Sequence, residues 1–196
     1  AMLYGTLVDL VPYGAHFMAH DHEWWNSEAQ FWGSMGDRQP VTRAQVERTH
    51  GEWRTSTQPH TGVAFGVQTK DGIPLGFFGI NWLSYQHRVA ELGAVIGERD
   101  YWGGGYGTDA LLLLVDYAFD VLDMRKVWLT TISSNVRVVR QMEKVGFELE
   151  ARQRQATVAD GAPYDALVFG RLRDRWPGYA AMVAALGLRP RDWRVP

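Results

Sequence analysis

The residues with the clearest chemical potential lie in one run, Tyr101-Trp102-Gly103-Gly104-Gly105-Tyr106-Gly107-Thr108-Asp109-Ala110, where a strand-like segment meets a helix-like one. Glycine lets a backbone adopt positive φ and approach a ligand closely. The first-turn N–H groups of a helix have no intrahelical acceptor and carry the positive end of its dipole, so such a junction favours a phosphate. A plain flexible turn is the alternative, but four glycines in so short a span cost chain entropy unless something fills the space. The phosphate carrier is less constrained. A nucleoside-triphosphate loop needs a Lys after its last glycine, and none follows here. Gly105, Gly107 and Ala110 match the G-x-G-x-x-A form of the dinucleotide fingerprint. The acidic residue due about 20 positions later is missing, however, because the next strand-like segment ends Thr130-Thr131-Ile132.

Composition removes several other chemistries. The 196 residues carry 20 Lys and Arg against 22 Asp and Glu, a net charge of −2, which gives no electrostatic reason to expect nucleic acid. With no cysteine, the chain has no disulfide, thiolate metal site, iron–sulfur cluster or acyl-cysteine intermediate. Apolar residues at 46% and charged residues at 21% describe an ordinary folded domain. No apolar run approaches the roughly 18 residues of a membrane span, and the start lacks a basic-then-apolar leader, so a cytoplasmic protein with no membrane contact is expected. His16 and His20, with Asp21 and His22 beside them, could share one helix face. No His-Glu-x-x-His and no distant third ligand accompany them, so no metal is expected. Serine hydrolase chemistry lacks its G-x-S-x-G.

Around the glycine run, the pattern predicts a first strand over Thr6–Val11 stopped by Pro12. Two short helices follow in the aromatic stretch to Met35, then a helix from the Thr42/Gln45 capping box to about Thr55. Thr61–Thr69, Leu75–Trp82 and Val89–Gly97 read as antiparallel strands, the first two joined at Lys70-Asp71-Gly72. Helical spacing from Ala110 to Leu122 leads to a buried strand at Lys126–Ile132, which a helical crossover makes parallel to its predecessor. A helix over Asn135–Val145 stops at Gly146, strands at Phe147–Arg154 and Asp165–Leu172 flank Asp160-Gly161, and a short helix covers Tyr179–Leu186. The fold class is a single mixed α/β domain, a predominantly antiparallel central sheet flanked by helices.

The run Ala90-Glu91-Leu92-Gly93-Ala94-Val95-Ile96-Gly97 through Ala110 resembles motif A of the GNAT acyl-CoA N-acyltransferases. Asn135 to Phe147, with Glu143-Lys144 and Gly146-Phe147, is similar to the same family's N-x-x-S-x-x-x-x-E-K-x-G-F helix. The resemblance spans about Thr6 to Leu172 and is nearest to the branch of RimJ/RimL-like ribosomal-protein N-terminal and spermidine acetyltransferases. It implies an N-acetyltransferase domain over residues 1–172. Residues 173–196 would be a helix and tail, either part of that domain or a homodimer contact through Trp176, Tyr179, Met182 and Leu186. It also implies that acetyl-CoA donates an acetyl group to a primary amine, of a small molecule or a protein N-terminus, by direct attack in a ternary complex. Backbone N–H groups of Gly103, Gly104, Gly105, Gly107 and Thr108 would hold the CoA pyrophosphate. Val95 and Ile96 would pair with the pantetheine arm and polarise the thioester carbonyl. Asn135 would hydrogen-bond pantetheine, and also reads as a helix N-cap. The family's loop often carries Gln or Arg where Trp102 stands and Lys where Gly104 stands, so Arg99 becomes a candidate for the missing charge. Its usual thiolate-protonating Ser and Tyr fall on Val138 and Met142, which motivates the alternative of a CoA-binding sensor without turnover.

An ammonium cannot attack a thioester, so a base is needed, and Glu91 beside the thioester-holding strand is the candidate, with a surface carboxylate the other reading. Tyr85 and His87, in the loop entering that strand, line either the acceptor site or solvent. Trp24, Trp25, Phe31, Trp32 and Trp82 form either an acceptor wall or core. A polycationic acceptor would call on carboxylates among Asp9, Asp21, Glu23, Glu28, Asp37, Glu47 and Glu52.

Overall fold

The computed structural model describes residues 2–37, 39–55 and 62–190, with side chains throughout except at 50–55. Thr61, the Glu52 side chain and the tail beyond residue 190 therefore lie outside the described residues. An antiparallel meander of β1 (Leu3–Tyr4), β2 (Val8–Pro12), β3 (Val63–Thr69), β4 (Pro74–Ser84) and β5 (Val89–Ile96) makes up the first part of the sheet. β6 (Lys126–Ile132) joins β5 in parallel, and the hairpin of β7 (Glu148–Ala159) and β8 (Ala162–Leu172) completes it. The order is β1-β2-β3-β4-β5-β6-β8-β7, eight strands among the described residues.

The first strand starts later than the alternation predicts, and the reason is a buried carboxylate. Asp109 Oδ2 accepts the N–H groups of Leu7 and Val8 at 2.7 and 3.0 Å, while Gly5 N–H turns back to the Val8 carbonyl at 2.8 Å. Thr6 and Leu7 therefore form a turn between β1 and β2. Pro12 closes β2 as its last residue, opposite Phe65, where a missing donor is tolerated.

The connection to β3 holds three short helices rather than two: α1 (Ala15–Met18), α2 (Asp21–Trp24) and α3 (Glu28–Gly33). Ser27 starts the third one, its hydroxyl oxygen accepting from Ala29 N–H at 3.1 Å. α4 (Arg43–Thr55) opens on the Thr42/Gln45 box, with Thr42 N–H donating to Gln45 Oε1 at 2.8 Å. Phe65 and Val67 of β3 point into the main core, whereas the intervening Gly66 lets the Phe17 ring of α1 lie against the opposite face. Helices thus cover both faces.

α5 (Tyr106–Asp116) buries every side chain from Asp109 to Val115, and one π-helical turn over Tyr117–Val121 carries the chain on towards β6. α6 (Val136–Val145) begins at Asn135, whose Oδ1 accepts from Val138 N–H at 3.4 Å, and ends at Gly146 with φ 78°. The last hairpin is longer than its apolar pattern indicates. Its pairing runs on through Thr157↔Tyr164 to Ala159↔Ala162, because the Asp160-Gly161 turn lies beyond the polar stretch.

α7 (Tyr179–Leu186) belongs to the same core. Tyr179 donates its hydroxyl to Asp109 Oδ1 at 2.7 Å and accepts Thr6 N–H at 2.7 Å, and Trp176 Nε1 donates to Asp116 at 2.9 Å. The four residues considered for a dimer contact are thus packed within their own chain. No helix among the described residues is long and apolar enough to cross a membrane.

Asp109 is fully buried and accepts from three donors, the N–H groups of Leu7 and Val8 and the Tyr179 hydroxyl. Replacing it leaves them unpaired, at about 1–3 kcal/mol each. Asp109→Ala is expected to lose at least about 3 kcal/mol in denaturant unfolding and Tyr179→Phe about 1–3 kcal/mol.

Candidate active site

β5 and β6 pair only at Val89↔Lys126, Ala90↔Val127 and Glu91↔Trp128. Beyond Glu91 the two strands diverge. The divergence coincides with a bulge in β4, where Asn81 is the extra residue between the pairs Ile80↔Leu92 and Trp82↔Glu91. A bulge bends and twists its strand, and here it does so at the residue where β5 leaves β6. The Asn81 amide fills the space over Gly93, where a Cβ would come within 2.4 Å of its Oδ1. Gly33 at the end of α3 admits Val95 from the other side.

The gap opens into a cleft of about 990 Å³ lined by Glu91 to Ile96, the glycine loop, Thr130, Thr131, Asn135 and the inner face of α6. Gly103 and Gly105 adopt φ 79° and 92°, which favour glycine, and the loop runs directly into α5. The N–H groups of Gly103, Gly104, Gly105, Gly107 and Thr108 donate to no backbone carbonyl among the described residues. They face a cleft large enough for a nucleotide-sized ligand. Thr108 Oγ1 instead receives Gln141 Nε2 of α6 at 3.2 Å, which ties the loop to the far wall.

Glu91 sits at the apex of the divergence, half-buried and lining the cleft. Burial pushes its carboxyl above the ordinary carboxylate value, the direction that suits a proton acceptor near neutral pH. Asn135 is buried at the cleft wall. Its oxygen caps α6, so its Nδ2 is the group left to meet a ligand. Val138 and Met142 line the same wall, and Met142 is 1% exposed within the core.

The structure brings Glu91, Val95, Ile96, Gly103, Gly104, Gly105, Gly107, Thr108 and Asn135 together around one cleft. Ile96 presents its side chain near Gly107 and gives its carbonyl to Trp102 Nε1 at 2.8 Å. Arg99 lies outside the lining and pairs with Glu28 at 3.3 Å. Trp24 is buried against Gly97 and donates to Glu98 at 2.9 Å, so it supports the end of β5 from behind. Trp25 also stays out of the cleft, and Trp82 is 45% exposed on the outer part of β4. Tyr85 and His87 occupy the β4–β5 turn at the paired end of the strands, away from the divergence.

Trp32 and Met35 reach the cleft from the aromatic region, and Trp102 and Arg137 reach it beside the glycine loop. Leu186 and Leu188 close it from the C-terminal side, Leu188 coming within 3.2 Å of a Cβ placed on Gly105. Residues from the end of the chain carry no local signal for this. Only their packing on α5 delivers them.

Of the carboxylates considered for a polycationic acceptor, Asp9 pairs with Lys70 and the buried Asp21 accepts the Tyr13 hydroxyl. Glu28 lines a smaller cavity of about 120 Å³ with Trp32, Tyr164 and Asp160. His16 Nε2 lies 3.3 Å from the Gly72 carbonyl, and His20 stacks on Trp24.

A family model described as an acetyltransferase (GNAT) domain matches residues 8–148. The uncharacterised N-acetyltransferase YoaA of Bacillus subtilis (strain 168) is 29% identical over 119 residues, covering 60% of this chain and 67% of that protein. The spermidine N(1)-acetyltransferase of Escherichia coli (strain K12) is 32% identical over 80 residues, 41% of this chain and 42% of that protein. The crystal structure of spermidine N-acetyltransferase from Vibrio cholerae in complex with CoA and spermine shares the fold, with a TM-score of 0.77 at 18% identity over 88% of this chain and 98% of that one. The matched segment includes the bulged β4, the diverging β5 and β6, the glycine loop and the capped α6. The chain belongs to the GNAT acetyltransferases, and it transfers an acetyl group from acetyl-CoA to an amine.

Proposed function

We propose that the chain acetylates a primary amine, of a small molecule or a protein N-terminus, by direct attack within a ternary complex, with Glu91 as the base. The observation that carries this reading is the continuity of one cleft from the unpaired loop N–H groups, along the free side of β5, to the carboxyl of Glu91. Acetyl-CoA fits these residues: its pyrophosphate meets the N–H groups of Gly103 to Thr108, and its pantetheine arm adds to β5 and to Asn135 Nδ2. Its thioester supplies the activated acetyl group.

The Val95 segment of β5 donates towards the thioester oxygen, where negative charge develops. Glu91 takes the proton from the incoming ammonium, directly or through a water, and so exposes the lone pair that attacks. A cysteine-free chain has no thiol to carry the acetyl group, which favours a single transfer over a covalent relay. Val138 and Met142 donate no proton to the departing sulfur. A thiol with a pKa near 8.5 leaves as thiolate far more readily than an amine near 10.4, so the step proceeds without a dedicated acid, and the second proton that the nitrogen sheds as the amide forms passes to the thiolate or to water. Trp32 and Met35 provide the acceptor wall nearest the cleft.

Thermal unfolding with CoA, acetyl-CoA, succinyl-CoA and NAD tests the donor. A CoA species at about 100 times its Kd is expected to raise Tm by roughly 5–10 °C, with no rise from NAD. A rise with NAD and none with CoA would overturn the assignment of the loop. Thiol release across a panel of α-amines, polyamines and aminoglycosides then identifies the acceptor, and CoA binding without turnover on any of them would favour the sensor reading.

Glu91→Gln is expected to lower kcat about 10²- to 10⁴-fold with the KM for acetyl-CoA unchanged. Only the deprotonated carboxylate accepts a proton, and its pKa is raised. Wild-type kcat/KM therefore falls as pH drops through a pKa above the ordinary carboxylate value, and the variant lacks that acid limb. An unchanged limb in the variant would assign the base elsewhere.

A further inference from the structure

The glycine loop offers a pyrophosphate N–H groups but no charge: none of Trp102 to Thr108 is a cation. Among the described residues, the cations lining the cleft are Arg137, Arg140, Lys144 and Arg189, and none lies within the loop. Arg99, the nearest cation in sequence, points out of the lining to Glu28. Arg137 crosses from the first turn of α6 to the loop entrance. Its guanidinium carbon lies 3.9 Å from the centroid of the Trp102 ring, against 6.0 Å for Arg99. The ring is itself fixed, since Trp102 Nε1 donates to the Ile96 carbonyl at the end of β5.

We propose that Arg137, braced on the Trp102 ring, is the cation that meets the pyrophosphate of acetyl-CoA. This deepens the proposed function and rests on its assignment of the loop. Stacking holds one face of the guanidinium and leaves the N–H groups at its edge free to form charge-assisted hydrogen bonds with phosphate oxygens. Arginine suits this role because its planar head can stack and donate at once, which an ammonium cannot. Trp102 is then a positioning residue. It touches no reacting atom, and its two contacts set where the charge sits between β5 and α6.

Calorimetric titration of wild type and Arg137→Gln with CoA and with dephospho-CoA, which lacks only the 3′-phosphate, tests the assignment. The variant is expected to bind both about ten- to a hundredfold more weakly, the range for a hydrogen bond to a charged group. In turnover its KM for acetyl-CoA rises with kcat maintained, while kcat/KM for S-acetylpantetheine, which has no phosphate, stays at the wild-type value. Trp102→Leu is expected to weaken CoA binding about two- to fivefold in the wild-type background and not at all beside Arg137→Gln. A loss seen with CoA but not dephospho-CoA would move the contact to the 3′-phosphate and overturn the proposal. So would an equal loss with S-acetylpantetheine, which would mark Arg137 as a structural part of the cleft. Wild type that binds CoA alongside an unaffected Arg137→Gln would overturn this inference alone. Wild type that binds no CoA would remove the reading of the loop and this inference with it. Thermal unfolding of each variant confirms that it folds.

Discussion

Two parallel strands that stop pairing are the constraint around which this molecule is organised. Where β5 leaves β6 beyond Glu91, alternate backbone groups of Leu92 to Ile96 lose their ladder partners inside the domain. Such groups cost free energy unless something bonds to them. Water fills that role in an open cleft, and a peptide-like ligand fills it better by adding as a strand. The bulge at Asn81 and the glycine at position 33 keep the gap open, since one bends the sheet at the apex and the other admits Val95.

The glycine loop has the same character. Its positive-φ residues and unpaired N–H groups add little to stability, so the surrounding structure must hold the loop in place. Asp109, three residues into α5, does much of this. Its carboxylate fastens the turn before β2, and its bond to Tyr179 draws α7 onto α5, which in turn brings Leu188 to the loop. The functional surface therefore depends on a buried hydrogen-bonded group that never faces the ligand.

The glycine loop, the Thr42/Gln45 box, the Asn135 cap and the Gly146 stop were legible because each uses a chemistry confined to a few neighbouring residues. The antiparallel run up to β5 and the parallel step to β6 were legible from hairpin and crossover lengths, whereas β1 and the seating of β8 beside β6 were not. The short helices were read less well, because the Ser27 cap between them carries no apolar period to announce it. The aromatics show the limit most clearly. Trp24 and Trp32 look alike in sequence, yet one is a buried brace behind β5 and the other lines the cleft, a difference set by which face of a short helix meets the sheet. Arg99 and Arg137 differ in the same way. The cation nearest the loop in sequence is bound to Glu28, and the one that lies against the Trp102 ring comes from another helix.

By itself, the sequence determined the kind of domain this is: a cysteine-free α/β domain with a glycine loop at a strand-to-helix junction and a parallel crossover. These follow from composition and from spacings of a few residues, which local backbone chemistry enforces without help from the rest of the chain. Tertiary structure alone decided that β5 and β6 diverge at Glu91, that burial raises that carboxyl, that Arg137 rests on Trp102, and that Leu186 of α7 joins the wall of the cleft. Each of these depends on groups dozens of residues apart meeting in space, and on the burial that their meeting creates. No window of sequence contains that information.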